Sequence, residues 1–258
     1  MDEISLGGLV LLCAAALMAG WIDAVVGGGG LVQLPALLIA FPHLAPAYAL
    51  GTNKAVAIAG TGMAAVTYGR RAPLDRRLAW RLGLLAVASA AAGASFASAV
   101  DKEVLNPLIM VLLLAVAGFV TFRPSFGTVR AEGAVTPRRT LLALLVGGVG
   151  IGFYDGMLGP GTGTFLVIAF VAILRLDMVT SSATAKVVNV GTNLGALLVF
   201  AGHGSVLWKL APPMALFNIL GGWLGAHMAL RRGSGFVRAA LLVVVAVLVA
   251  KLGWDQWS

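Results

Sequence analysis

The chain has 258 residues, 60% of them hydrophobic, and only 11% charged, where soluble domains run near about 25%. With a mean hydropathy of +0.97 it holds more apolar surface than a water-soluble globule can hide, which excludes a soluble enzyme, a secreted module and a disordered protein. The net charge of +8 would suit nucleic acid, but almost every basic residue sits in a short loop between apolar runs. That is the positive-inside pattern of a membrane protein, so the expected partner is the lipid bilayer and nucleic acid is excluded.

The apolar runs fall at residues 6–22, 31–41, 46–69, 79–100, 103–122, 140–158, 163–174, 179–202, 208–230 and 236–252. The first run follows an acidic start, Met1-Asp2-Glu3-Ile4, where a signal peptide would be basic, so it is expected to be retained. Cys13, the one cysteine, lies inside that run and reads as a small buried hydrophobe. At about 20 residues per span the chain has room for roughly seven or eight hydrophobic segments. The fold expected is an all-α polytopic membrane protein.

Two runs are broken. Gly27 to Gly30 interrupt the first, and Gly159-Pro160-Gly161-Thr162-Gly163 interrupt the run starting at 140. Neither stretch continues a helix, and Pro160 also removes a backbone donor. Helices are expected to restart at Leu31-Val32-Gln33-Leu34 and at Thr164-Phe165-Leu166. The longest hydrophilic stretch, 123–139, reads as a basic loop between two halves.

An offset of 132 residues places Gly20 on Gly152, Asp23 on Asp155, Gly27 on Gly159, Thr52 on Thr184 and Lys54 on Lys186, with ten identities in the 37 positions of 20–56. An Asp and a Lys both in register within apolar segments point to an internal duplication. The first repeat is 1–122, with broken helix 6–41 and spans 46–69, 79–100 and 103–122. The second is 140–258, with broken helix 140–174 and spans 179–202, 208–230 and 236–252. If each broken helix crossed the membrane, the loop Lys and Arg would split 11 to 5 between the sides; if each re-enters and returns, the split is 13 to 3. The second arrangement obeys the positive-inside rule better. It makes the repeats inverted and puts both termini outside the cytoplasm.

With the loop charges set aside, Asp23, Asp155, Lys54 and Lys186 remain at membrane depth. Each costs about 3 kcal/mol there unless paired or facing a polar cavity. Two structural salt bridges or helix caps would account for them. A central site whose lysines attract an anion, and whose aspartates bind protons or hold the lysines, would also do so; the position of the charges beside helix breaks favours the latter. Helix starts after the breaks present unpaired N–H groups and a positive dipole end. Gly28, Gly29, Gly30 and Gly161 would let the backbone approach an oxyanion, with Gln33, Thr162, Gly163 and Thr164 in the restarting turns. Close helix packing at small residues is the competing reading. In the following spans stand Thr52, Asn53 and Lys54, then Lys186, Asn189 and Asn193 on one face at i, i+3, i+7. His43, His203 and His227 have no metal-ligand spacing, and neither a metal nor a cofactor is expected. Trp208, Trp254, Trp257 and Tyr68 read as interfacial anchors. Trp21, Phe153 and Tyr154, beside the aspartates, could wall a pocket, but core packing is the favoured reading.

The stretches GWIDAVVGGGGL at 20–31 and GFYDGMLGPGTGTF at 152–165, with GTNK at 51–54 and TAKVVN at 184–189, resemble the TauE/SafE (sulfite exporter) family of membrane transporters over essentially the whole length. The resemblance implies an inner-membrane carrier of small sulfur-containing anions such as sulfite, thiosulfate or organosulfonates. It supports Asp23, Gly27 to Gly30, Asn53, Asp155, Gly159 to Gly163, Lys186 and Asn189 as site residues. Lys54 matches only part of the family.

The function expected is a secondary transporter of such an anion, working by alternating access between the repeats, with proton coupling as a hypothesis. No ATPase signature is present. A passive anion channel is the alternative, and an intramembrane aspartyl protease a remote one, since Tyr154-Asp155-Gly156 lacks the Gly-x-Gly-Asp setting. Oligomeric state is not readable, and a homodimer is compatible.

Overall fold

The computed structural model describes residues 5–97 and 135–257, with the side chains of 241 and 244–257 excepted, and every regular element among the described residues is helical. The expected span 103–122, most of the loop 123–139 and the side chains of Trp254 and Trp257 lie outside them. In chain order the helices are α1 (Leu6–Val26), α2 (Gly30–Ala40), α3 (Pro46–Gly69), α4 (Arg76–Ala97), α5 (Pro137–Met157), α6 (Thr162–Leu174), α7 (Met178–Gly202) and α8 (Ala211–Trp257). α1, α4, α5 and α7 are long and apolar enough to cross a membrane.

Local chemistry sets the boundaries. Ser5 Oγ accepts the Gly8 N–H at 3.1 Å and starts α1, while Asp177 accepts the Thr180 N–H at 2.9 Å and starts α7; short oxygen-bearing side chains are the preferred helix starters. Pro46 and Pro137 occupy first turns, where a missing N–H is harmless. α1 stops at Gly27, whose left-handed φ of 84° turns its N–H back to Asp23 O at 2.8 Å. α8 breaks at Gly233, where φ is 72° and ψ −169°. α5 is irregular inside: Leu144–Ile151 is a π-helical stretch between two α-helical ones.

The helix boundaries recur along the chain. The first residues of α5, α6, α7 and α8 lie 131, 132, 132 and 135 positions after those of α1, α2, α3 and α4. In each half the short helix folds back along the long one before it. Leu34 and Leu37 of α2 pack with Leu9, Leu12 and Cys13 of α1. Leu166 and Phe170 of α6 lie against Gly147 of α5.

Packing joins the two halves. Leu12, Leu37 and Ala49 share one cluster with Ala211 and Met214 of α8. Ala94 at the end of α4 meets Ala196 and Phe200 near the end of α7, beside Leu50 of α3. A larger cluster gathers Leu74 before α4, Val135 before α5, Leu176 between α6 and α7, and Phe236 after the break in α8. Helices α1, α3 and α8 cross at Gly20, Gly60 and Gly222, where the backbone of one helix occupies the space of a Cβ on the next. Tyr68 corrects an expectation: it is no interfacial anchor. Its side chain is buried and its hydroxyl donates to Ala24 O at 3.0 Å. An amphipathic ring near a helix end reads the same whether it meets lipid headgroups or an unpaired carbonyl. Trp208 is exposed.

Candidate functional site

The last carbonyls of a helix have no partner within it. At the end of α1 Lys186, reaching over from α7, donates to Asp23 O and to Asp23 Oδ2, the latter at 3.0 Å. At the end of α5 Lys54 of α3 donates to Asp155 O at 2.8 Å and to Asp155 Oδ1 at 2.9 Å. The 132-residue offset maps one arrangement onto the other with the halves exchanged, so each aspartate is held by the lysine of the opposite half. A cation at a helix C-terminus is also favoured by the dipole. Both lysines are buried. A hydroxyl completes each carboxylate: Thr61 Oγ1 donates to Asp23 Oδ2 at 3.0 Å and Thr162 Oγ1 to Asp155 Oδ1 at 2.8 Å. The pairs differ in access, the Asp23 side chain being 19% exposed and that of Asp155 6%.

The two broken tips meet. Gly27 lies backbone to backbone against Gly163, and Thr164 donates its N–H to Gly27 O at 3.2 Å and its hydroxyl to Val26 O at 3.0 Å. In the second tip Gly159 and Gly161 have φ of 92° and 80°, and Gly161 precedes the first turn of α6. Among the described residues the N–H groups of Gly29, Gly30 and Gly163 donate to no backbone acceptor, as expected where helices begin.

A cavity of about 30 Å³ lies at this junction. Of the residues singled out in the sequence, Gly27, Gly29, Gly30 and Gln33 reach it from the first hairpin, Asn53 and Lys54 from α3, Gly159, Thr162 and Gly163 from the second hairpin, Asn189 and Asn193 from α7, and both aspartates from the ends of α1 and α5. Gly28, Gly161, Thr164 and Lys186 do not line it. Thr164 holds the tips together, and Lys186 stands behind Asp23. Trp21, Phe153 and Tyr154 stay out of it too; Tyr154 donates to Pro160 O at 2.7 Å.

Sequence reasoning missed Ala19, Ala57, Thr61 and Asn218, which also line the cavity. A signal existed for two of them. Carried back by 132 residues, the stripe Lys186, Asn189, Asn193 becomes Lys54, Ala57, Thr61. Asn218 stood alone in an apolar run. Its amide donates to Ala16 O at 2.8 Å and to Gln33 Oε1 at 3.1 Å, and Gln33 donates on to Asn53 O at 3.4 Å. This relay ties α1, α2, α3 and α8 together behind Asn53. The side chains of Asn53 and Asn189 are different: each is at least nine-tenths buried, and Oδ1 of each has no hydrogen-bond partner. Unpaired buried amides are rare and call for an explanation.

Chemically, the junction gathers donors: free backbone N–H groups at two helix starts, the Lys54 ammonium and the amide NH2 groups of Asn53 and Asn189, whose unpaired Oδ1 atoms are themselves acceptors. Among the described residues no group of three His, Cys, Asp or Glu side chains could hold a metal ion. The family model described as "Sulfite exporter TauE/SafE" matches residues 12–252. The chain belongs to the TauE/SafE family. Similar proteins include a probable membrane transporter protein ORF9 of Sinorhizobium, 36% identical over 98% of this chain and 95% of its own length. A probable membrane transporter protein of Haemophilus influenzae is 32% identical over 98% of both chains. The probable membrane transporter protein YfcA of Escherichia coli is 33% identical over 96% of this chain and 90% of its own. No solved structure matches. As a TauE/SafE protein with several apolar helices, the chain is a multi-pass membrane transporter.

Proposed function

We propose that the protein is a secondary carrier moving a small sulfur-containing anion of the sulfite, thiosulfate or organosulfonate class across the inner membrane by alternating access. The observation that carries this reading is the convergence of two helix starts and the Lys54 ammonium on one cavity, with the Asn53 and Asn189 side chains beside them to donate through their NH2 groups. Helix N-termini stabilise oxyanions through aligned N–H groups and the dipole. Ala19 and Ala57 are the apolar side chains of the lining and five glycines add bare backbone, so it suits a small inorganic oxyanion better than a sulfonate with a long carbon tail. A volume of about 30 Å³ exceeds the ~10–15 Å³ that one water requires and leaves room for a few-atom group.

In this reading the two hairpins are re-entrant and the repeats inverted. Its support is the apolar cluster at one end, which holds the start of α5 beside the ends of α1 and α3, while the starts of α1 and α3 share a different cluster. Around the segments joined in that larger cluster stand Arg70, Arg71, Arg76, Arg77, Arg138, Arg139, Arg175, Arg231 and Arg232, with Asp75 and Asp177 as the nearby acids. The positive-inside rule then places this end in the cytoplasm and the N-terminus outside it. Two lysines and two aspartates sum to zero, so a proton on Asp23, the more exposed carboxylate, would leave the site net positive as the anion enters. The aspartates do not form a proton-sharing dyad, because each is engaged by its own lysine, which argues against a protease.

The test is uptake of radiolabelled sulfite, sulfate, thiosulfate and taurine into proteoliposomes, with and without unlabelled anion inside. Saturable uptake of one of them, accelerated by counter-anion, is expected; linear, unsaturable flux would point to a channel, and uptake indifferent to an imposed pH gradient would remove the proton coupling.

A further inference from the structure

The two repeat-related lysines are alike in their partners and unlike in their surroundings. Lys54 and Asp155 both line the cavity, whereas of the other pair only Asp23 does. An ammonium has three donors. Lys54 directs two at Asp155, to O at 2.8 Å and Oδ1 at 2.9 Å, and the third is left beside the cavity. Next to it in the chain is Asn53, one of the two buried amides with an unpaired oxygen. Lys186 directs its donors at Asp23 in the same way, but it is fully buried and has no surface on the cavity.

We infer that the duplicated cations have divided their work: Lys54 is the cationic ligand of the transported anion, and Lys186 is a positioning residue that fixes Asp23 and the end of α1. This rests on the anion-carrier reading above. Asp155 is then an internal rival of the substrate, since its carboxylate neutralises the charge the anion seeks. Removing that carboxylate alone should strengthen binding, and the gain should vanish when Lys54 is removed with it, a reversal that a purely structural role for Lys54 does not produce.

The experiment measures binding of sulfite, sulfate and thiosulfate to the purified full-length protein in detergent, by calorimetry and by ligand-induced thermal shift. Three variants are compared with the wild type: Asp155→Asn, Lys54→Gln combined with Asp155→Asn, and Lys186→Gln combined with Asp23→Asn. The double variants remove whole pairs and so leave no unpaired buried charge to unfold the protein. Asp155→Asn is expected to bind more tightly than the wild type. The Lys54 double variant should bind about tenfold or more weakly, the loss expected for a hydrogen bond to a charged group. The Lys186 double variant should lower the melting temperature without ligand and weaken binding by a smaller factor. Binding retained in the Lys54 double variant, weakened in Asp155→Asn, or lost equally in both double variants would overturn the division. A wild-type protein that binds none of the three anions would overturn the anion reading itself, and this inference with it.

Discussion

Gly27 and Gly163 touch backbone to backbone at the point where the two broken helices meet, and a Cβ on either would overlap main-chain atoms of the other. Gly27 also holds a left-handed φ of 84°, which a residue with a side chain adopts only at a cost of about 1–2 kcal/mol. Gly27→Ala is therefore expected to push the tips apart and lower the melting temperature sharply, by scanning fluorimetry in detergent. Gly62→Ala, where a Cβ meets nothing within 4 Å, should melt no lower than the wild type. Equal melting temperatures for both variants would show that the tips are not in tight contact.

Asn53→Leu separates function from stability. The wild-type amide oxygen is buried without a partner, a burden of about 1–3 kcal/mol, so an apolar side chain of similar size should leave the melting temperature unchanged or raise it. Anion uptake should fall at the same time. A variant that melts much lower yet transports normally would mean the amide serves the fold.

Thr164→Val keeps shape and removes one hydroxyl, whose bond to Val26 O spans 3.0 Å between the hairpins. The expected loss is about 1 kcal/mol, read as a modest drop in melting temperature. Combined with a second substitution in the same contact, such as Gly27→Ala, the effects should be less than additive, because both loosen one junction. Strict additivity would show that the two contacts act independently.

The orientation of the chain is open to chemical labelling, because Cys13 is its one cysteine. In a Cys13→Ala background, Arg71→Cys and His203→Cys place single thiols at exposed positions on loops expected on opposite sides. A membrane-impermeant maleimide added to intact cells should label the His203 position and spare the Arg71 position until the cells are opened. The reverse pattern would invert the topology.

Much of this arrangement is legible in the sequence because it is written in strong local signals. Glycine and proline breaks located the hairpin tips within a residue or two, α2 starting at Gly30 where Leu31 was expected. The 132-residue offset, found from one Asp and one Lys in register, reappears in the starts of α6 and α7 and to within three residues in those of α5 and α8. What stayed hidden is which lysine meets which aspartate. Asp23 and Lys54 belong to the same half, and nothing in a linear spacing says that Lys54 reaches across to Asp155 while Asp23 receives Lys186; that exchange is a property of how the halves dock. Tyr68 and Asn218 were misjudged or missed for a related reason, since the carbonyls that engage them come from α1, distant in sequence.

The π-helical stretch at Leu144–Ile151 has no counterpart in α1, which is α-helical throughout. Wider turns of this kind are rare inside α-helices. The two halves therefore differ in backbone geometry as well as in side chains, and on the alternating-access reading proposed above a rocking motion that trades their shapes would not return an equivalent molecule. In such a carrier the resting balance between its two orientations is tilted, and the concentration of substrate that half-fills it differs from one face of the membrane to the other. On the alternating-access reading the gradients would still decide which way net flux runs, and the uneven pair of helices would decide where the carrier waits.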